Sequence, residues 1–173
     1  MGRILSKQRT DLLKNAFFEF SFVEIDEENY DGEYEDEDVD PDREIFDSIT
    51  DPAELHYIAD IYNWDDGTIL LNWIVDSPIC DEATAKMIFW RAQPQDYTAM
   101  KIDENHWAFE DYQLLRKIIL NFENGKYQAG KIEYDPDKDE VASDPSFRDP
   151  KANWDITIWL QEPVKGEKVI YEE

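Results

Sequence analysis

DPAELHYIADIYNWDDG, residues 51–67, contains the clearest helix signals in the chain. Asp51 can cap a helix, Pro52 suits the first helical position, and Glu54 stands where it would complete a capping box. Apolar residues then recur at i, i+3, i+4 and i+7 on one helix face, namely Leu55, Ile58, Ala59 and Tyr62. The sequence therefore predicts an amphipathic helix that ends near Trp64.

Two adjacent carboxylates, Asp65 and Asp66, follow this helix and raise the question of a catalytic or metal-binding pair. Gly67 disfavours continuation of the helix, and either Asp can accept hydrogen bonds from the free amides that begin a following helix. That helix would bury one apolar face, formed by Ile69, Leu70, Trp73 and Ile74. Capping and turn formation is the interpretation we favour over a functional site.

The next helix is expected at the centre of the core. Pro78 stops the preceding helix, and Asp81 is placed to cap the new one. The segment ATAKMIFW, residues 83–90, is apolar on nearly all sides, which is typical of a fully buried helix. Three short helices should therefore pack in succession.

Apolar residues at helical spacing predict two further helices, over residues 8–20 and 107–122, and Gly125 supplies a stop for the second. The segment YQAGKIEYDP, residues 127–136, alternates weakly and fits either one short strand or an extended arm. The predicted fold class is mainly α. We expect a compact array of short antiparallel helices with an acidic N-terminal insertion and little or no β structure.

The predicted organisation has three parts: an N-terminal helix (1–23), an acidic extended segment (24–50) and a helical core domain with a C-terminal arm (51–173). The stretch EIDEENYDGEYEDEDVDPDR, residues 24–43, carries twelve carboxylates and one arginine. Like charges at that density oppose a compact helix, and a glycine and a proline break it further. We therefore expect an exposed loop there.

The charge of the whole chain indicates the kind of partner. The formal net charge of −25 comes from 42 Asp and Glu against 17 Lys and Arg. Such a field repels nucleic acid and anionic membranes and attracts cationic proteins. The sequence therefore predicts a basic protein partner. The alternative is that the acidity only keeps the protein dispersed in solution or reflects a halophilic source.

Tyr30 and Tyr34 lie among the carboxylates of the acidic segment and have no obvious role in a core, so they are candidate interface anchors. The predicted partner-binding residues are Tyr30, Asp31, Glu33, Tyr34, Glu35, Asp36, Glu37 and Asp38. The alternative is a segment that confers local solubility and contains incidental tyrosines.

The sequence predicts no metal or cofactor site. DPDKDE from Asp135 begins like an EF-hand loop, but Glu140 and Ser146 stand where the loop needs Gly and Glu. GKYQAGKI, residues 125–132, resembles a P-loop, but Ile132 replaces the magnesium-binding Ser or Thr. We interpret both as chance matches.

No catalytic residue is predicted either. His56 is interpreted as a surface or packed histidine of its helix, and Cys80 as a buried inert thiol, although a helix N-terminus would favour its thiolate. Cys80 is the only cysteine, which excludes an intrachain disulfide. Because the N-terminal residues contain no apolar run long enough for a signal peptide or a membrane span, we expect a cytoplasmic protein.

Three stretches, ELHYIADIYNWDDG (54–67), LNWIVDSPICDEATAKMIFW (71–90) and QPQDY (93–97), carry a family resemblance. Together they resemble an uncharacterised bacterial family known only as a domain of unknown function, with the pattern YNWDDG…P.CD..TA..IFW. Some members resemble the immunity partners of secreted polymorphic toxins. The resemblance implies a small bacterial protein and transfers no catalytic residue.

The function we expect is that of a noncatalytic immunity protein, which neutralises a basic toxin domain such as a nuclease by blocking its active site. A first alternative is a nucleic-acid mimic or regulator that sequesters a basic protein. A second is an enzyme with an unrecognised carboxylate site, which would require a deep pocket lined by Asp65, Asp66 and His56.

Overall fold

The computed structural model describes residues 2–18, 41–97, 102–142 and 158–171. In order, the chain forms β1 (Arg3–Leu5), α1 (Lys7–Phe17), α2 (Arg43–Asp47), α3 (Pro52–Asp60), a 3-10 turn (Trp64–Asp66), α4 (Ile69–Asp76), α5 (Glu82–Arg91), a second 3-10 turn (Pro94–Tyr97), α6 (Phe109–Glu123), α7 (Ile158–Gln161) and β2 (Val169–Tyr171). The predicted mainly helical fold is confirmed. None of the helices in these ranges combines the length and the apolar character that crossing a bilayer requires.

Helix α3 begins as predicted, because Asp51 caps it. The Asp51 Oδ1 atom accepts a hydrogen bond from Ala53 N at 2.9 Å, and Pro52 occupies the first helical position. Glu54 does not serve the predicted capping box. Both of its carboxylate oxygens bind the guanidinium of Arg9 in α1, at 2.8 and 2.7 Å. This ion pair joins α1 to the central helices.

The turn after α3 corrects the prediction for Asp65 and Asp66. Neither carboxylate caps α4, whose N-cap residue is Thr68. Asn63 instead orders the turn, since its Oδ1 accepts from Asp65 N at 3.3 Å and its Nδ2 donates to Asp66 Oδ1 at 2.9 Å. Gly67 follows with a φ of 75°, a conformation that glycine adopts without strain. The prediction of a turn is confirmed, and the capping role is wrong because two residues separate this turn from α4.

Helix α5 lies at the centre of the core, as predicted. The Asp81 Oδ1 atom caps it by accepting from Ala83 N at 2.9 Å. All of residues 83–90 are buried, including the side chain of Lys86. The buried Lys86 ammonium donates to the carbonyl of Glu162 at 3.0 Å, so the polar group is satisfied by the C-terminal arm.

Helix α2 lies within the predicted extended segment 24–50. The prediction of extended structure is therefore wrong for residues 43–47. Asp42 caps this short helix by accepting from Ile45 N at 2.9 Å. Phe46 is buried and meets the ring of Trp73 edge-on, with centroids 5.5 Å apart. The Asp42 cap and the packing of Phe46 against Trp73 thus stabilise this five-residue helix.

Helices α4 and α6 lie side by side in the core. Thr68, which precedes α4, donates to Glu110 at the start of α6 at 3.4 Å, and the carbonyl of Val75 near the end of α4 accepts from Asn121 near the end of α6 at 3.1 Å. Helices α4 and α6 therefore point the same way, in place of the antiparallel arrangement expected. Gly125, with a φ of 65°, ends α6 as predicted.

The segment after α6 is an extended arm, held by isolated bridges between Ile132 and Glu167 and between Tyr134 and Val164. Gly166 permits this close approach, because a Cβ at that position would lie 2.6 Å from Ile132 N. Strand β2 then pairs in parallel with β1, which brings the two ends of the described chain together. The expectation of little β structure is confirmed.

Candidate functional site

The predicted partner-binding residues lie outside the described part of the chain: Tyr30, Asp31, Glu33, Tyr34, Glu35, Asp36, Glu37 and Asp38. The structure describes the C-terminal part of the acidic segment, from residue 41 onward. Asp42 N donates a hydrogen bond to Ala16 O at 3.3 Å, so the end of α1 lies beside the start of α2. The role of the segment stays a prediction.

An open groove of about 750 Å³ lies between α4 and α6. Its apolar and aromatic lining consists of Ile69, Trp73, Phe109 and Tyr112. Its polar and charged lining consists of Thr68, Asn72, Glu110, Gln113, Arg116 and Lys117. A concave surface with several aromatic side chains is typical of a binding site, so we take this groove as the candidate functional site.

The spacing of residues along each helix explains the groove. Helix α6 places Phe109, Tyr112, Gln113 and Arg116 at i, i+3, i+4 and i+7, which forms one continuous face. Its buried residues lie on other faces, and they are Leu114, Leu115, Ile118, Ile119 and Asn121. Helix α4 contributes Ile69 and Trp73 at i and i+4. Each helix thus has one face in the core and a second, aromatic-rich face toward the groove.

Helix α2 holds Trp73 in place. The guanidinium carbon of Arg43 lies 4.7 Å from the centre of the Trp73 ring, and Phe46 packs against the same ring edge-on. Arg43 is itself paired with Asp47 at 2.9 Å within α2. A cation over an indole face is a favourable contact, so α2 stabilises the position of Trp73 in the groove lining.

Four carboxylates lie within three residues in sequence of the groove-lining residues Thr68 and Glu110, and we call them the acidic cluster: Asp65, Asp66, Glu110 and Asp111. Of these four, Glu110 lines the groove itself. The slight burial of the Asp66 carboxyl and the neighbouring Asp65 raise the pKa of Asp66, while partial burial and Glu110 raise the pKa of Asp111. Burial and the charges of Asp66 and Asp111 also raise the pKa of Tyr62, whose hydroxyl donates to Gly67 O at 2.7 Å. These carboxylates therefore concentrate negative potential in one place.

The opposite end of the groove has two cationic side chains, of which Lys117 is ion-paired. Lys117 donates to Asn72 Oδ1 at 2.6 Å and to Asp76 Oδ2 at 2.8 Å, which joins α6 to α4. Arg116 lines the same end. The groove is thus polar along its length, with carboxylates where α6 starts and cations one to two turns further on.

Trp107, just before α6, is the most exposed of the exposed large hydrophobic side chains in the described ranges, at 82%. Its ring lies 5.5 Å from that of His106 at a tilt of 31°. The Nδ1 atom of His106 accepts from Ala108 N at 3.1 Å, which ties the histidine to the local backbone. An exposed tryptophan is a typical anchor for a protein partner.

The candidate catalytic residues His56, Cys80, Asp65 and Asp66 do not line the groove. His56 is buried, with Nδ1 3.1 Å from Thr84 Oγ1, and burial, opposed by the charge of Asp60, lowers its pKa to about 4. Burial raises the pKa of the Cys80 thiol. Asp65 and Asp66 are exposed, and neither they nor His56 line the groove between α4 and α6.

Sequence reasoning missed a buried polar network around Arg91. Its guanidinium binds Asp139 with Nε to Oδ2 at 2.8 Å and Asp60 with Nη2 to Oδ1 at 2.8 Å. Tyr134 donates to Asp139 at 3.0 Å, and Tyr171 donates to Asp60. No local pattern indicated this network, because its members come from α3, α5, the extended arm and β2.

Asp139 shows how tertiary contacts change the meaning of a motif. Asp139 belongs to the stretch DPDKDE, which begins like an EF-hand loop. In the structure, its carboxylate instead accepts two hydrogen bonds from Arg91. Burial alone would raise the pKa of Asp139, but the hydrogen bonds and charge of Arg91 hold it below its ordinary value.

Within the described residues, no group of three or more His, Cys, Asp or Glu side chains is arranged to hold a metal ion.

Part of the chain matches an established family of protein domains. Residues 50–122 match the family described as domain of unknown function DUF4274. The resemblance to an uncharacterised domain family is thereby confirmed. No curated protein and no solved structure matches the chain. All residues that line the groove fall inside the matched range, whereas the acidic segment, Asp139 and Tyr171 fall outside it.

Proposed function

We propose that this chain is a noncatalytic acidic binding protein, a bacterial immunity protein that neutralises a basic toxin domain such as a nuclease by blocking its active site. The observation that carries this proposal is the charge. The chain has a formal net charge of −25, and twelve of its carboxylates lie in residues 24–43. A basic protein is the partner that such a field attracts most strongly.

The blocking mechanism follows from what a nuclease must do. Its substrate groove attracts phosphate with Lys and Arg side chains, so a dense run of carboxylates can occupy the same groove. The hydrogen bond from Asp42 to Ala16 joins the C-terminal part of the acidic segment to α1 of the folded core. The core would then set the direction from which the carboxylates enter the partner.

The surroundings of the reactive side chains also support a binding role. The His56 ring lies against Thr84 in the core, and Cys80 is a buried thiol whose pKa is raised. The conspicuous surface features, in contrast, are the aromatic groove and the exposed ring of Trp107. These features suit recognition of another protein.

The decisive experiment is co-expression with the product of the neighbouring gene in a host that this product kills. We expect growth to be rescued, and we expect the two chains to purify as one complex whose association rate falls steeply with salt. Failure of rescue together with no complex at low salt would refute the proposal.

A matched pair of charge-reversal variants tests the acidic segment itself. One variant changes Glu35, Asp36, Glu37 and Asp38 to Lys, and the control changes four exposed acids elsewhere, Glu104, Glu123, Glu133 and Glu140, to Lys. Both alter the net charge equally. We expect the first variant to associate about tenfold or more slowly than the control. Equal rates would assign the attraction to overall charge and remove the segment from the mechanism.

A further inference from the structure

We propose that the groove between α4 and α6 is the docking site for an amphipathic segment of the basic partner. The segment's apolar side chains would lie on Ile69, Trp73, Phe109 and Tyr112, and its Lys or Arg side chains over the acidic cluster. This inference rests on the proposed function, and it names the surface that would give the complex its specificity.

The apolar lining supplies the first argument. Ile69 begins α4 and is 53% exposed, although it is a large aliphatic side chain. Trp73, Phe109 and Tyr112 extend this surface between the two helices. Aromatic residues in a concave site contribute a large share of binding energy, because they bury much area and lose little conformational entropy. An aliphatic or aromatic side chain from a partner would remove this surface from water.

Charge complementarity supplies the second argument and decides the chemistry of the occupant. At one end of the groove, Glu110 is part of the lining and accepts a hydrogen bond from Thr68 at 3.4 Å. The adjacent Asp111 and Glu110 repel each other. A cation above the cluster would relieve that repulsion. At the other end the lining has Arg116 and Lys117 in place of a carboxylate, and Asp76 there is already paired with Lys117 at 2.8 Å. The basic residues of the occupant should therefore lie at one end of it only.

The same charges disfavour other occupants. A second copy of the chain would bring another net charge of −25 to the interface, and nucleic acid or an anionic membrane would meet the same repulsion. A basic segment is attracted by the whole molecule before it reaches the groove. Long-range attraction by the acidic segment and short-range recognition by the groove would thus be separate steps.

The test uses a synthetic helical peptide of about four turns with a leucine stripe, lysines in one half and glutamines in the other. Its control peptide has the same composition in a scrambled order, so it keeps the charge and loses the stripe. Affinity is measured by calorimetry. The site is located from the shifts of the indole signals of the tryptophans, among which we expect Trp73 to move.

Ile69→Gln and Leu120→Gln provide a matched pair of variants. Ile69 and Leu120 are 53% and 55% exposed on α4 and α6, but only Ile69 lines the groove. Neither change alters the net charge, and thermal melts establish that both variants fold. We expect Ile69→Gln to weaken binding of the striped peptide about tenfold and Leu120→Gln to leave it unchanged, because burial of one aliphatic side chain is worth that much.

Three outcomes would overturn the groove as the docking site. They are equal binding of the striped and scrambled peptides, equal effects of the two variants, and concentration-dependent self-association of the chain that Ile69→Gln abolishes. Failure of the proposed function is distinguishable. If the neighbouring gene product is neutralised equally by wild type and Ile69→Gln, only the groove is refuted. If it is not neutralised at all while the peptide results hold, only the immunity role is refuted.

Discussion

Arg91 and Asp139 form a bidentate ion pair, with Nε to Oδ2 at 2.8 Å and Nη2 to Oδ1 at 3.3 Å, although 48 residues separate them in sequence. Only 10% of the arginine side chain and 6% of the aspartate side chain are exposed. The pair joins helix α5, inside the family-matched range, to the extended arm beyond it. The arm is therefore part of the folded core.

Replacement of Asp139 by Asn should destabilise the protein by about 2–4 kcal/mol, because the buried Arg91 guanidinium loses half of its counter-charge. Urea unfolding measures the change. The control is Asp47→Asn, which breaks an exposed pair with Arg43. We expect that control to cost less than about 1 kcal/mol. Similar costs for both variants would mean that Arg91 is satisfied by Asp60 alone.

His56 should make stability depend on pH between about 6.5 and 4. Its pKa is about 4 in the folded protein and near 6.5 when unfolded, so the unfolded chain binds the proton first as the pH falls. The contribution of His56 is thus present above pH 6.5 and lost toward pH 4, by roughly 2–4 kcal/mol.

The comparison of wild type with His56→Asn isolates this effect. The raised pKa values of Asp66 and Asp111 act in the opposite direction, since such carboxylates favour the folded state as the pH falls. They are present in both proteins and cancel in the difference. The measurement is urea unfolding at a series of pH values, and an unchanged pH profile in His56→Asn would contradict the prediction.

Gly166→Ala should loosen the extended arm, because its new Cβ would clash with the backbone of Ile132, which cannot move aside as a side chain can. We expect a loss of about 2–3 kcal/mol. Gly125→Ala is the control, with the same added methyl in open space and only the left-handed φ of 65° to oppose it. That control should cost about 1–2 kcal/mol. A larger loss for the control in thermal melts would show that the arm adapts.

Trp107→Ala should weaken partner binding while leaving stability within about 0.5 kcal/mol of wild type, because the ring is 82% exposed. Loss of an aromatic anchor typically costs at least about 2 kcal/mol, or some thirtyfold in affinity. The affinity is measured with the purified product of the neighbouring gene. Val141→Ala, at a residue 64% exposed, is the control and should bind normally. Normal binding by Trp107→Ala would remove this ring from the interface.

Several features of the fold could be predicted from the sequence because their causes are local. Asp51 and Asp81 lie within two residues of the amides that they cap. Gly125 ends α6 because glycine adopts a positive φ without strain. Residues 83–90 are apolar on nearly all sides of a helix that follows the Asp81 cap, which is typical of a buried helix. The net charge of −25 is likewise a property of composition alone.

Only the tertiary structure decided the groove, the role of α2 and the Arg91 network. Thr68 meets Glu110 across 42 residues, and Arg91 meets Asp139 across 48. Phe46 orders α2 through its contact with Trp73, which no spacing within α2 reveals. Short-range patterns report capping, turns and helix faces, since these depend on residues within about two helical turns. A concave surface or a buried ion pair depends on which faces meet after folding, and that is set by packing of the whole core.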